Sequence, residues 1–502
     1  MTSAKRRSAA QSRPAQSRPA QSPPAQPSAA QQFAGQRVVV AGLGVSGPPA
    51  ARVLAGHGAQ VTAIESRDEA EQRALAGQLS ELGITVLLGP GYDLPAGTNL
   101  VVTSPGWRPD APLLAAAAAA GIPVIGDVEL AWRLRPALAG GTRQQWLAVT
   151  GTNGKTTTVK MLAAMLAAGG HRAIAAGNVG TSVVEAIAEP DPYPVLAVEL
   201  SSFQLHWSAT LAPLAAAVLN IAGHHLDWHG DIESYAQDKG RIYAPGTIAV
   251  CNADDPRSVA LARSAAGTAR VVAFRLGPPG PGELGVTGGA LVDRAFGPEA
   301  LAGAGVRLGE TRAVRPAAPH NVANALAAAA LARAYGCPAE AVSGGLAAFE
   351  PEPHRISLVA RVGAVDFVDD SKATNPHAAA ASLAAYPSVV WIAGGLFRGD
   401  DAEIDQLVRS AGGRLRGVVL LGADRGKIRQ ALARHAPDVP VVEATATDTG
   451  VMDHVVGQAA LLAGPGDTVL LAPAAQSFDI FRDYPARGDE FAAAVRRLAQ
   501  AQ

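Results

Sequence analysis

Cysteine is scarce in this chain. Cys251 and Cys337 are the only two among 502 residues, which excludes a disulfide framework and a CxxC metal or redox pair. Such usage fits a reducing cytoplasm. Long apolar runs are also missing. The run Ala115 to Ala120 is short and bounded by Gly and Pro, so no segment reads as a bilayer span. Excess charge of one sign is absent too. The 42 basic and 43 acidic side chains leave a net charge of −1, with no charged block in the body. Nothing in that balance favours nucleic acid or a membrane surface as a partner.

What is present is a chain too long for one core. At about 100–200 residues per domain, the length predicts about three domains. Residues 1–32 repeat Ala, Gln, Ser, Pro and Arg (AQSRPAQSRPAQSPPAQ), a composition that cannot bury a core and reads as a disordered tail. It has no apolar h-region, so it is not a secretory signal. A docking tail and a dispensable extension are both open readings of it.

Three α/β units follow, at 33–141, 142–350 and 351–502. The first opens with a buried strand, Arg37 to Ala41, running into Gly42-Leu43-Gly44-Val45-Ser46-Gly47. A helix is predicted from Ala50 to His57, then a strand from Gln60 to Ile64 that ends at Glu65. Strand, Gly-rich turn, helix, strand and acid form a Rossmann-like nucleotide-binding unit. Pro48 and Pro49 directly after the turn put the helix start in question. Further strands are predicted at Thr85–Leu88, Leu100–Thr103 and Pro123–Ile125. Alone, the Gly-rich turn also suits a dehydrogenase, but a second nucleotide loop downstream makes that less attractive.

That second loop is Gly151-Thr152-Asn153-Gly154-Lys155-Thr156-Thr157, between a predicted strand (Trp146 to Thr150) and a predicted helix (Thr156 to Ala168). Glycines let backbone N–H groups close on phosphate oxygens, and the helix N-terminus adds a favourable dipole. Lys155 would neutralise outer phosphates and Thr156 could ligate Mg²⁺. The alternative is a Gly-rich turn before a helix. Strands near Val195–Glu199, Ala216–Asn220 and Thr247–Asn252 and a helix from Asn321 to Tyr335 complete the expected central P-loop domain. The Gly/Pro-rich stretch from Leu276 to Gly289 reads as a surface connection.

Glu199, in Glu199-Leu200-Ser201-Ser202, is either a Mg²⁺ ligand or a strand-end helix cap. His225 and Asp227, in a loop with His224 and His229, could form a second metal site or be solvated loop residues. Lys239, on a helix predicted from Ile232 to Tyr243, reads by default as a surface lysine. In the third unit, strands at Val365–Asp369, Val389–Ala393, Gly417–Leu421, Val439–Glu443 and Thr468–Ala472 alternate with helical patterns. That alternation predicts another Rossmann-like, doubly wound sheet. Asp369-Asp370-Ser371-Lys372-Ala373-Thr374-Asn375-Pro376 follows the first of these strands, at the edge where α/β sheets bind ligands.

Together the motifs resemble the Mur ligase family, from about Gln36 to the C-terminus. GTNGKTTT marks the family at large. GNVG (Gly177–Gly180), ELSSFQL (Glu199–Leu205) and DDSKATNPHA (Asp369–Ala378) point more narrowly to its D-glutamate-adding branch. The resemblance implies an ATP-dependent ligase that joins D-glutamate to UDP-MurNAc-L-Ala through an acyl phosphate, in peptidoglycan precursor synthesis. It implies ATP, two Mg²⁺ ions, small-molecule substrates, a cytoplasmic location and a monomer.

Site residues implied by the resemblance are these. Gly44, Val45, Ser46, Glu65, Ser66, Arg67, Ser104 and Gly106 would hold the UDP substrate. Gly151 to Thr157, Asn321, Asn324, Arg355 and Asp370 would hold ATP. Lys155, Asn178, His225, Lys239 and Lys372 would serve the reaction centre. Thr156, Glu199, His225 and a carbamylated Lys239 would hold metal; a free ammonium would repel Mg²⁺, whereas a carbamate is an anionic ligand. Thr374, Arg398, Ser477, Phe478 and Tyr484 would form the D-glutamate pocket. The chain departs from the family at Gly223-His224, where an acid is usual before the metal histidine, at Arg398, where lysine is usual, and at Pro48. Another Mur ligase with a different amino acid, and a non-catalytic nucleotide-binding relative, are the rival readings.

Overall fold

A computed structural model of the chain describes residues 32–501, apart from residues 179, 224, 302, 304, 399 and 447 and the side chains of 227 and 301. Residues 1–31 of the expected tail and the His224 departure therefore lie outside the described residues. Three sheets follow one another along the chain.

The first contains β1 (Arg37–Ala41), β2 (Gln60–Glu65), β3 (Thr85–Leu88), β4 (Leu100–Thr103) and β5 (Val124–Gly126), in the order β3-β2-β1-β4-β5 and all parallel. Parallel strands covered on both faces read as continuous apolar runs, which is why β1 is RVVVA with four of five residues buried. The order reverses beside β1, so the crevice for a ligand opens between the ends of β1 and β4. The first helix runs from Gly47 to Gly56, not from Ala50. Pro48 and Pro49 sit in its first turn, where the N–H groups they lack would have no intrahelical partner.

The central sheet has nine strands: β6 (Gln145–Thr150), β7 (Ala173–Gly177), β8 (Val195–Glu199), β9 (Ala215–Val218), β10 (Ile248–Asn252), β11 (Arg270–Phe274), β12 (Glu283–Thr287), β13 (Ala290–Asp293) and β14 (Val306–Glu310). Their order is β14-β13-β12-β11-β10-β9-β6-β8-β7. β6 lies between β8 and β9, so its loop opens at the switch point of the sheet. The stretch Leu276 to Gly289 is not a plain surface connection. It contains β12, which pairs parallel with β11 and antiparallel with β13. Thr287 faces Ala290, leaving Gly288-Gly289 as a two-residue turn with φ of 57° and 79°. That turn type needs positive φ twice, so the glycines close a hairpin.

The helices Lys155–Ala168, Pro319–Tyr335 and Ala339–Ala348 pack together on this sheet. The run Ala327–Ala330 is wholly buried, and Gly345 lies against the backbone of Met165 with no room for a Cβ. Small residues let these helices approach closely.

The third sheet holds β15 (Ser357–Val362), β16 (Val365–Asp369), β17 (Val389–Gly394), β18 (Leu415–Leu421), β19 (Val441–Glu443) and β20 (Thr468–Leu471), ordered β15-β16-β20-β17-β18-β19. All pairings but that of β15 are parallel. No helix among the described residues is long and apolar enough to cross a membrane.

Candidate active site

The loop after β6 is shaped by two positive-φ glycines, Gly151 (154°) and Gly154 (87°). Asn220 fixes its crown from below: the side-chain oxygen accepts from Asn153 N at 2.8 Å, and the amide donates to Asn153 O at 3.1 Å. The Asn324 side chain fills the space where a Cβ on Gly154 would stand. Lys155 folds back over the loop, its Nζ donating to Gly151 O and Thr152 O at 3.1 Å each. Burial lowers its pKa against the pull of Glu199, and Arg355 and Lys372 push the same way as burial. Three cations thus face one space, an arrangement that favours a polyanion.

Glu199 ends β8 and is buried. Thr156 Oγ1 donates to its Oε2 at 2.8 Å and Asn178 Nδ2 to its Oε1 at 3.0 Å. Lys239 is not a surface lysine. It is 1% exposed, with Nζ donating to Gly151 O at 2.9 Å and Thr150 Oγ1 at 3.3 Å. Burial drives its pKa well below the usual lysine range, Lys155 adds to that, and Glu199 and Asp238 oppose it. His225 takes φ of 57°, lies exposed, and meets the Phe203 ring at 4.8 Å. Among the described residues no three His, Cys, Asp or Glu side chains converge as a metal cluster. Thr156 and Glu199 touch, then, while Lys239 lies beneath the loop and His225 lines a different cavity.

From the third sheet, the loop after β16 brings Asp370, Lys372 and Thr374 to the same space. Arg487, 1% exposed, ties the loop down through Nε to Ser371 Oγ (3.0 Å), Nη2 to Ser371 O (2.9 Å) and Nη1 to Ala475 O (3.1 Å). Asp370 accepts from the Ser382 hydroxyl. Burial raises its carboxyl to about 6, against Ser382 and Arg355. Lys372 Nζ stands 3.9 Å over the Tyr484 ring. The Asp369 hydrogen bond to His354 Nδ1 (2.6 Å) raises the histidine pKa.

These groups line one cavity of about 660 Å³ between the central and C-terminal sheets. Thr152 to Thr157, Asn178, Glu199, Asn321, Asn324, Arg355, Asp370, Lys372 and Thr374 all face it. An adjoining cavity of about 1190 Å³ holds His225 and Arg398, and shares Asn375 and His377 with the first. The expected amino-acid pocket is gathered only in part. Thr374 lines the first cavity and Arg398 the second, while Ser477, Phe478 and Tyr484 line neither. Ser477 is buried and Phe478 is 63% exposed.

Sequence profiles agree with this layout. The Mur ligase MurD-like N-terminal domain matches residues 36–126, the Mur ligase middle domain residues 149–332, and the Mur ligase glutamate ligase domain residues 354–475. The UDP-N-acetylmuramoylalanine–D-glutamate ligase of Thermobifida fusca is 61% identical over 467 residues, covering 92% of this chain and 99% of that protein. The chain belongs to the Mur ligase family. The enzyme of the same name from Mycolicibacterium smegmatis is 49% identical over 492 residues, covering 92% of this chain and 96% of its own. The solved UDP-N-acetylmuramate-alanine ligase of Thermotoga maritima shares the fold, with a TM-score of 0.53 at 19% identity over 93% of this chain and 100% of its own.

The first domain of this Mur ligase carries a turn braced from both sides. Ser104 Oγ donates to Gly42 O at 3.1 Å, and Leu43 N donates to Glu65 Oε2 at 2.9 Å. Burial alone would raise the Glu65 carboxyl, but the Arg67 side chain, Leu43 N–H and Arg67 N–H hold it at about 2. Ser46 is buried at the head of the helix, and Val45 projects into solvent. Sequence reasoning missed several residues that hold the cavity together. Asn220 braces the loop, Glu352 pairs with Lys160 and Arg355, and His377 meets Asn153. Each is an ordinary polar residue at a helix start or loop, and only its distant partner marks it.

Proposed function

We propose that this Mur ligase adds D-glutamate to UDP-MurNAc-L-Ala with conversion of ATP to ADP and phosphate, in peptidoglycan precursor synthesis. Residues 33–141 take the UDP, 142–350 take ATP, and 351–502 take ATP and the amino acid. ATP and UDP-linked precursors belong to the cytoplasm, where the reaction then runs. The reading is carried by one observation: the phosphate loop and the Asp370–Thr374 loop, from two different sheets, line a single cavity.

The L-alanine carboxylate attacks the γ-phosphorus of ATP; the bond to ADP breaks and an acyl phosphate forms. The D-glutamate amine then attacks the acyl carbon. The tetrahedral adduct expels phosphate and the nitrogen loses a proton. Little covalent chemistry falls to the protein, whose task is positioning and charge. Lys155 leaves its two loop carbonyls to take phosphate oxygens, and Lys372 faces the same charge from the third domain. Asn321 and Asn324, one helical turn apart, hold the nucleotide side. Thr374, Arg398, Ser477, Phe478 and Tyr484 receive D-glutamate.

Two Mg²⁺ ions suit the donor set. Thr156 Oγ1 and Glu199, in contact at 2.8 Å, are hard oxygen donors beside the phosphate loop. Bound Mg²⁺ would neutralise developing phosphoryl charge. Carbamylation of Lys239 fits its setting. The amine is buried, and the adjacent Asp238 is saturated by His206, His229 and Arg241. A deprotonated amine is the form that adds to CO₂, giving a carbamate and one proton.

Phosphate release should be measured with ATP, Mg²⁺ and UDP-MurNAc-L-Ala, offering D-glutamate, L-glutamate, L-lysine and diaminopimelate separately. Release with D-glutamate alone, and a product of matching mass, is expected. Release with another amino acid would overturn the pocket. ATP binding without release for any acceptor would mean a non-catalytic nucleotide binder.

A further inference from the structure

His229 has no part in the reaction just described, yet both of its ring nitrogens are hydrogen-bonded beside it. It ends the short helix Leu226–His229, and its side chain is wholly buried. Nδ1 lies 3.0 Å from Asp238 Oδ2 and Nε2 lies 2.9 Å from Ser202 Oγ. A carboxylate only accepts, so Nδ1 carries a proton toward Asp238, and Nε2 shares a hydrogen bond with the Ser202 hydroxyl. Serine, histidine and aspartate in this order have the layout of a hydrolytic triad. Ser202 is 2% exposed, however, and no substrate reaches it as a nucleophile.

What the bridge joins is more telling. Ser202 lies three residues after Glu199, and Asp238 directly precedes Lys239. The His229 ring is parallel to Phe203 within 7°, with centroids 5.4 Å apart, and Phe203 in turn meets His225 at 4.8 Å. Tyr235, whose ring has Lys239 Nζ 4.7 Å from its centroid, packs edge-on to His229 at 5.2 Å. One buried imidazole therefore supports the segments bearing Glu199, Lys239 and His225.

We propose that His229 is a positioning residue that holds Glu199, Lys239 and His225 in the register that a divalent cation needs. The inference rests on the metal and carbamate reading given under Proposed function. Groups that orient metal ligands typically contribute about ten- to a hundred-fold in metal affinity when removed.

The test uses the full chain in three variants. His229→Phe keeps a ring against Phe203 and deletes both hydrogen bonds. His229→Gln retains an amide that can donate to Asp238 and accept from Ser202. Ser202→Ala cuts only the arm toward Glu199. The readouts are the carbamate resonance in ¹³C NMR under labelled bicarbonate, Mn²⁺ affinity by electron paramagnetic resonance, and affinity for UDP-MurNAc-L-Ala. In His229→Phe the carbamate resonance should fade and Mn²⁺ affinity fall by about ten-fold or more. Affinity for the UDP substrate, held by the first domain, should stay within about two-fold, which is the check on folding. His229→Gln should restore most of both signals, and Ser202→Ala should weaken Mn²⁺ binding in the same direction. Wild-type resonance and Mn²⁺ affinity in His229→Phe and Ser202→Ala would overturn the inference alone. If His229→Phe does not fold, unchanged Mn²⁺ affinity in Ser202→Ala overturns it. A wild-type chain lacking both signals would overturn the metal and carbamate reading, and the inference with it.

Discussion

The Asn153 side-chain amide donates to Nδ1 of His377 at 2.9 Å, so the phosphate loop itself touches the third domain. Asn375 adds a longer contact, Nδ2 to Asn153 Oδ1 at 3.4 Å. Burial lowers the His377 pKa, against a weak pull from Asp255, which suits the neutral ring that can accept. A second strut runs from Lys160 on the loop's helix to Glu352, which also holds Arg355 at 2.9 Å. The loop proposed to hold the nucleotide is thus also a point of contact with the third domain.

Removing one such contact should be felt in ATP use and not in UDP-substrate binding. A neutral hydrogen bond contributes about 1 kcal/mol, so His377→Ala should lower kcat/KM for ATP about five-fold. Steady-state kinetics at saturating D-glutamate would check it. An unchanged constant would mean that the contact carries no energy in the working enzyme.

Lys155→Ala should cut turnover roughly a thousand-fold, since it deletes a preorganised cation at the site of developing charge. The melting temperature should hold, because among the described residues Nζ bonds to two loop carbonyls alone. Near-normal phosphate release would remove the phosphate-loop assignment.

Gly154→Ala should harm both fold and function. The residue has φ of 87°, and the new Cβ would collide with Asn324. A non-glycine residue held in such a region costs about 1–3 kcal/mol. Chemical denaturation should show a loss in that range, and ATP affinity should fall as Asn324 is displaced.

Asp127 offers a pH test away from the chemistry. It is buried at the start of the helix Asp127–Leu134; Gln204 reaches Oδ2 at 3.4 Å, and among the described residues no well-aligned partner meets Oδ1, with only the nearby Val128 and Asp127 N–H groups favouring the charge. Burial raises its pKa from 3.8 to about 6, outweighing the Gln204 hydrogen bond. Because the folded value is the higher one, its favourable contribution is complete below the unfolded pKa and is lost as pH rises through about 6. Asp127→Asn should therefore match wild type in stability near pH 3.5 and exceed it at pH 8, by up to about 3 kcal/mol. Denaturant midpoints at several pH values decide it. A variant less stable than wild type at pH 8 would show that the carboxylate has a partner in the folded chain.

Local signals carried a large part of the architecture. β1 with its Gly-rich turn, β6 with its phosphate loop, and β16 with the Asp369–Asn375 loop were all readable, because each is a buried apolar run followed by residues with strong backbone or charge demands. The hairpin of β12 and β13 was not. Its strands are short, and Gly288-Gly289 looks like flexible punctuation until Thr287 and Ala290 are seen opposite each other.

The sequence by itself determined the order of units, the strand, glycine loop and helix that carry Lys155 and Thr156, and the strand ends bearing Glu199 and Asp370, since those features are written within a few adjacent residues. Only the tertiary structure decided that Lys239 is buried beneath Gly151, that Asn153 meets a residue 224 positions away, and that Ser202, His229 and Asp238 form one bridge. Burial and pairing at such separations depend on how the sheets and helices pack, and no local pattern of residue types encodes that geometry.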